Sequence, residues 1–296
     1  MPLSETPTKT VLARVPYLNC APFFHGLKSE SWDWADVPPR QLGVEAEAGR
    51  IAAGPMALAD FLRLQDRFER LGPLGIAVRG RVGSVMLFSR KPIRQLEGAT
   101  IAVTEDSSTS ALLLRLILEQ RYKLSPKAYQ RNSIAETDVV IAPDVIASEA
   151  KQSQKDCFVA CAPRNDTGKS LTDADALLLI GDEALTFRAT NKQYPYETDL
   201  AFEWWLWQHL PMVFAVWAVR KDWPADAKQR LSRTIQQQLA NNLRQLPVIS
   251  QERAASMQLP ADEIQHYLGQ FIYRLSQPEE DAIKQFNTLL HEHHLL

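Results

Sequence analysis

The sequence predicts an α/β protein with room for two domains and a mostly parallel sheet. Three observations carry that reading. The chain has 296 residues, enough for two cores of ordinary size. Compact apolar runs of strand length recur at Ala99–Val103, Asp175–Ile180 and Pro211–Val219. Segments with apolar residues at helical spacing stand between and after those runs, the alternation expected when helices cover a buried sheet.

The elements follow in chain order. Val11–Val15 is a short β-prone run stopped by Pro16, and Tyr17-Leu18-Asn19-Cys20-Ala21-Pro22 carries it through a loop into a helix. An Ala-rich stretch predicts a helix over Glu45–Ala53, and Leu58, Phe61 and Leu62 predict another over Met56–Arg63. Gly75–Val78 and Gly83–Ser89 are strand candidates. The strand at Ala99–Val103 runs into Thr104-Glu105-Asp106-Ser107-Ser108-Thr109-Ser110 and then a helix over Ala111–Gln120, a strand–turn–helix unit. A strand-like segment lies near Tyr129. Ala227, Leu231, Ile235, Leu239 and Leu243 form one apolar stripe. Ile264, Leu268, Phe271, Ile272 and Leu275 predict the next helix, and Ser276-Gln277-Pro278-Glu279 reads as a capping box opening the last one.

Composition bounds the function. Hydrophobic residues make up 45% and charged residues 23%, a soluble globular balance. A net charge of −2 leaves no basic footprint for nucleic acid. No window reaches the apolar length of a membrane span, and MPLSETPTKTVLARV lacks the apolar core of a signal peptide. Cys20, Cys157 and Cys161 follow no framework spacing, so a reducing, cytoplasmic setting without structural disulfides is expected.

Val140–Leu171 has no sustained period and is long for a loop inside a compact domain. Its middle, IASEAKQSQKDCFVACAPRND, resembles peptides encoded by short palindromic repeats inserted into bacterial genes. It is expected to be a surface insertion apart from the chemistry. Asp166-Thr167-Gly168-Lys169-Ser170 within it is not a phosphate loop, because no leading glycine or strand precedes it. Cys157 and Cys161 lack a second ligand pair, so no zinc site is expected.

Three segments can bind a small ligand. Ser107, Ser108 and Thr109 offer hydroxyls before a buried helix, suited to a carboxylate, although capping alone needs only one of them. Glu105 and Asp106 beside them would repel an anion unless they point away. Gly181-Asp182 closes a strand at the edge where open α/β sheets place ligands, and also fits a plain turn with Asp182 as N-cap. Tyr17-Leu18-Asn19 ends the first strand, where an amide can both donate and accept, or simply make a turn.

The segments VPYLNCAPFFHGL, AAGPMALADFL, GSVMLFSRKPIRQLEGATIAVTEDSSTSALLLRLIL, DADALLLIGDEAL, YETDLAFEW and LPMVFAVWAVR, in this order, resemble the chorismate dehydratases of the futalosine route to menaquinone. The resemblance runs from about Val11 to Lys221. It implies a two-lobed fold of the type II periplasmic-binding-protein kind with a ligand cleft between the lobes and a helical C-terminal segment. Lobe one would be residues 1–88 plus 212–296 and lobe two 89–211, crossing near Leu87-Phe88-Ser89 and Pro211-Met212. Tyr17, Leu18, Asn19, Gly83 and Ser84 would face Ser107, Ser108, Thr109, Gly181 and Asp182 across the cleft. The implied reaction removes water from chorismate to give 3-[(1-carboxyvinyl)oxy]benzoate, with no metal or organic cofactor. With no His or Lys among these cleft residues to act as base, the substrate's own side-chain carboxylate would take the proton and Asn19 would orient the reacting groups. Arg79, Arg81 and Arg90 are candidates for the second carboxylate. Gln208-His209 stands where these enzymes usually carry Thr-Gly, and Ala21 where a basic residue is frequent. The competing reading is a non-catalytic small-carboxylate binding protein or solute receptor of the same fold.

Overall fold

The computed structural model describes residues 11–28, 32–132 and 174–296. The expected insertion at 140–171 lies outside the described residues, as do Cys157 and Cys161.

In the first lobe, β1 (Val11–Arg14) buries Leu12 and Ala13 and leads through a 3-10 turn (Leu18–Cys20) into α1 (Ala21–Phe24). Then come β2 (Asp33–Asp36), α2 (Pro39–Glu47), β3 (Ala53–Ala57), α3 (Leu58–Arg63) and the long β4 (Phe68–Val78). The second lobe holds β5 (Val85–Ser89), β6 (Thr100–Thr104), α4 (Thr109–Arg115) running into a π turn (Leu116–Arg121), β7 (Ala128–Asn132), β8 (Ala176–Ile180), α5 (Gly181–Thr190), β9 (Tyr196–Asp199) and α6 (Leu200–Gln208). The chain returns to the first lobe with β10 (Met212–Arg220), followed by α7 (Ala225–Asn242), α8 (Leu246–Met257), α9 (Ala261–Gly269), β11 (Phe271–Arg274) and α10 (Gln277–Glu292).

The first sheet has the order β11-β4-β10-β3-β1-β2 and the second β7-β6-β8-β5-β9. Both are mixed, against the expectation of a mostly parallel sheet. Strand β10 runs antiparallel to β3 and β4, and β5 runs antiparallel to β8 and β9. These are the strands that follow each passage between lobes, so they enter their sheet against its local direction. The passage out also falls earlier than Leu87–Ser89. All of β5 pairs within the second sheet, so the chain changes sheets between Val78 and Val85.

Two expected helices shift. Ala53, inside the helix expected over Glu45–Ala53, starts β3, and the true helix α2 begins earlier, at Pro39. Pro55 would break a helix interior, and a Cβ on Gly54 would lie 2.8 Å from the Ala13 Cβ, so only glycine lets the neighbouring chain approach that closely. Phe271 and Ile272, expected on a helix with Ile264 and Leu268, pair antiparallel with Val78 and Ala77 as the sheet edge. An open strand edge with unpaired backbone groups outweighs apolar spacing there.

The C-terminal segment ties the lobes together. Trp204 of α6 is fully buried, its ring 5.8 Å from that of Phe286 in α10. The capping box at Ser276 and Glu279 forms as expected. Helix α6 ends with His209 in the left-handed conformation, φ 55°, its N–H donating to Trp205 O at 2.9 Å. Glycine is the usual residue in that conformation, and histidine costs about 1 kcal/mol more. The His209→Gly variant is expected to melt about 2–4 °C higher by circular dichroism. A lower melting temperature would show that His209 makes a compensating contact.

Candidate active site

The ends of β1, β5, β6 and β8 meet between the lobes around a void of about 70 Å³ that opens to solvent. Tyr17, Asn19, Ser84, Ser108, Thr109 and Gly181 line it. Leu18, Gly83, Ser107 and Asp182 do not, and each has another task.

Asn19 sits in the turn after β1. Its backbone oxygen accepts from Tyr273 Oη at 3.0 Å, while its side-chain Oδ1 is buried with no partner. An orphaned buried acceptor costs about 1–3 kcal/mol, and this one belongs to a residue that lines the void.

The segment around Asn19 is latched to the second lobe. Leu18 N–H donates to both carboxylate oxygens of Asp182, at 2.9 and 3.2 Å. Tyr17 Oη donates to Asp106 Oδ2 at 3.0 Å. Gly181 makes this closure possible. It has φ +60°, and a Cβ there would lie 2.7 Å from the Tyr17 ring. Its N–H donates to Ser84 O at 2.7 Å, and Ser84 Oγ accepts from Tyr267 Oη at 2.9 Å.

Thr109 is a strut between lobes. Its hydroxyl accepts from Ala59 N–H and donates to Phe214 O, both at 3.1 Å, leaving it no free valence for a ligand carboxylate. Thr109 and Ser108 both line the void, and the Ser108 hydroxyl makes no cap bond and lies against the Asp60 carboxylate. Ser107 is buried behind the lining. Gly83 lies on a separate groove, its N–H held by Asp199 Oδ2 at 2.8 Å.

From the sequence, Asp106 would repel an anion unless it pointed away. Instead it lines the void, with Tyr17 holding its carboxylate. Arg79, Arg81 and Arg90 are absent from the lining. They stack on Trp205, Phe202 and Tyr194 at 5.8, 4.0 and 5.6 Å. Cys20 also lines the void, but burial pushes its thiol pKa up and keeps it protonated. Among the described residues no group of three or more His, Cys, Asp or Glu side chains is placed to hold a metal ion, and no helix is long and apolar enough to cross a membrane.

Burial raises Asp182 to about 6, opposed by the Leu18 hydrogen bond and by Arg253. Burial, then the charge of Asp106, raises Glu183 to about 8, opposed by a bond from Thr104. Closed lobes therefore hold protons that an open or unfolded chain would release. The stability this contributes is full below the ordinary carboxyl range, near pH ~4, and is lost as pH rises through about 6 and then about 8. The melting temperature is expected to fall steadily from about pH 5 to about pH 9, and Glu183→Gln to flatten the upper part of that fall. A melting temperature that rises over this range would contradict the assignment.

Two lobes that meet over a cleft, latched by residues from both sides, define a protein of the periplasmic-binding-protein-like fold. Solved structures share it. A protein from Archaeoglobus fulgidus matches with a TM-score of 0.70 at 16% identity, covering 99% of this chain and 100% of that one. A Candida albicans gene product described as having the generic periplasmic binding protein fold matches with a TM-score of 0.59 at 10% identity, covering 98% and 91%. The chain belongs to the menaquinone biosynthesis family, whose model matches residues 10–148 and 140–292. A curated chorismate dehydratase from Thermus thermophilus is 28% identical over 295 residues, covering 95% of this chain and 94% of that protein.

Proposed function

We propose that this chain is a chorismate dehydratase, a hydro-lyase that forms 3-[(1-carboxyvinyl)oxy]benzoate and water without a cofactor. The observation that carries the proposal is Asn19, whose buried, unpartnered Oδ1 meets a void lined by no His, Lys or Arg. The near full-length similarity to a chorismate dehydratase supports it.

The reaction removes the hydrogen on the ring carbon bearing the enolpyruvyl ether and the hydroxyl on the adjacent carbon. The C–H electron pair becomes the third ring double bond, the C–O bond breaks, and the hydroxyl leaves as water with the proton that the substrate's side-chain carboxylate has removed. Aromatisation drives the step, so the protein's task is positioning. The substrate's side-chain carboxylate takes the ring proton. Asn19 Oδ1 accepts from the ring hydroxyl and sets the C–O bond for departure, while Ser108 supplies a hydroxyl to a carboxylate. Holding reacting groups in place is worth about 7–11 kcal/mol, and the Tyr17 and Leu18 latches keep water out.

The test is incubation of the purified protein with chorismate, with mass spectrometry for a product one water lighter. Formation of that product establishes the reading. Saturable binding of chorismate without turnover would replace it with the small-carboxylate binding protein.

A further inference from the structure

We propose that Arg40 and Arg131 together receive the second carboxylate of the substrate at the mouth of the cleft. This rests on the dehydratase reading, because it takes the ligand to be a dianion. A dianion held beside Asp106 gains from any cation within reach of the void.

Most of the arginines near the cleft are committed. Arg63 is paired with Glu47 and Asp60, Arg121 with Glu203 and Arg188 with Glu197. Arg79, Arg81 and Arg90 stack on rings of the second lobe. Arg40 and Arg131 differ, having no ion-pair partner among the described residues. They come from opposite lobes, one from α2 and the other from β7, and converge on one turn. Arg40 Nη1 lies 3.5 Å from Glu105 O, and Arg131 Nη1 donates to Ser107 O at 2.8 Å.

That turn is the hydroxyl-rich segment between β6 and α4. Carbonyls two residues apart lie within about 7 Å, so the two guanidinium groups face the same small region. It adjoins the void, since Pro39 precedes Arg40, Ser108 follows Ser107, and both line the cavity. Burial and then the charge of Arg40 draw the Arg131 pKa down, with Asp60 and Glu105 opposing. Asp60 and Glu105 offset part of the repulsion between the two cations, no ion pair occupies either guanidinium fork among the described residues, and that planar fork fits a carboxylate. Since each arginine belongs to a different lobe, the bridging carboxylate also favours closure.

The test uses Arg40→Gln, Arg131→Gln and Arg131→Lys, with Arg79→Gln as a control. Each Gln variant is expected to raise KM for chorismate by about 10-fold or more with kcat within about threefold. The double variant should cost less than the sum, since one carboxylate is shared. Arg131→Lys should recover part of the loss and guards against a misfolded Gln variant. Binding of isophthalate against benzoate, by calorimetry, separates this inference from the reaction. The wild type should prefer the dicarboxylate, and the Gln variants should lose that preference even if no turnover is found. KM and isophthalate binding both unchanged in folded Gln variants would overturn the inference while leaving the dehydratase reading in place.

Discussion

Asn19→Ala is expected to lower kcat by about 10²–10³-fold, the cost of losing a group aimed at the reacting atoms. The protein should still fold. The side-chain Oδ1 has no internal partner, so truncation deletes no native acceptor bond. The turn is held through the backbone, by Tyr273 Oη on Asn19 O. Removing an unsatisfied buried acceptor relieves a cost, so the melting temperature should stay level or rise. Loss of turnover in an equally or more stable protein is the signature of a catalytic residue. A kcat within about threefold of wild type would reduce Asn19 to a turn residue, and the reading would lose its main support.

Gly181→Ala is expected to raise KM at least about tenfold and to destabilise the protein by ~1–3 kcal/mol. Two causes act together. Alanine at φ +60° is strained, and its Cβ would lie 2.7 and 2.8 Å from two Tyr17 ring carbons. The ring must move, which breaks its bond to Asp106 and pulls Leu18 N–H away from Asp182. A Tyr17→Ala change in the same chain removes the clash, so the double variant should lose less than the two singles combined. Additive losses would mean that Gly181 acts through its backbone strain alone and does not make room for the latch.

Much of the site was legible because its residues fall at strand ends. Tyr17, Asn19, Ser84, Ser108, Thr109 and Gly181 all follow or precede short apolar runs that could be strands, and open α/β sheets bring such ends together. Thr109 shows the limit of that reading. A hydroxyl before a helix looks the same in sequence whether it faces a ligand or braces another element, and only the positions of Ala59 and Phe214 decide between them. Asp106 shows a second limit. Its charge argued against a place in the cleft, and the partner that makes the place tolerable, Tyr17, lies 89 residues away. Arg40 and Arg131 carried no local signal at all, since neither stands in a motif and their convergence depends on two lobes meeting.

The sequence by itself determined the α/β class, the buried strands at Ala176–Ile180 and Met212–Arg220, the apolar stripe of α7 and the capped start of α10. These rest on periodicity and end chemistry, which are local. Tertiary structure alone decided the mixed sheets, the strands β3 and β11, and which polar groups face the void. Those depend on partners far along the chain, because an unpaired backbone edge or a buried polar atom is satisfied by whatever the fold brings within about 3 Å, regardless of spacing in sequence.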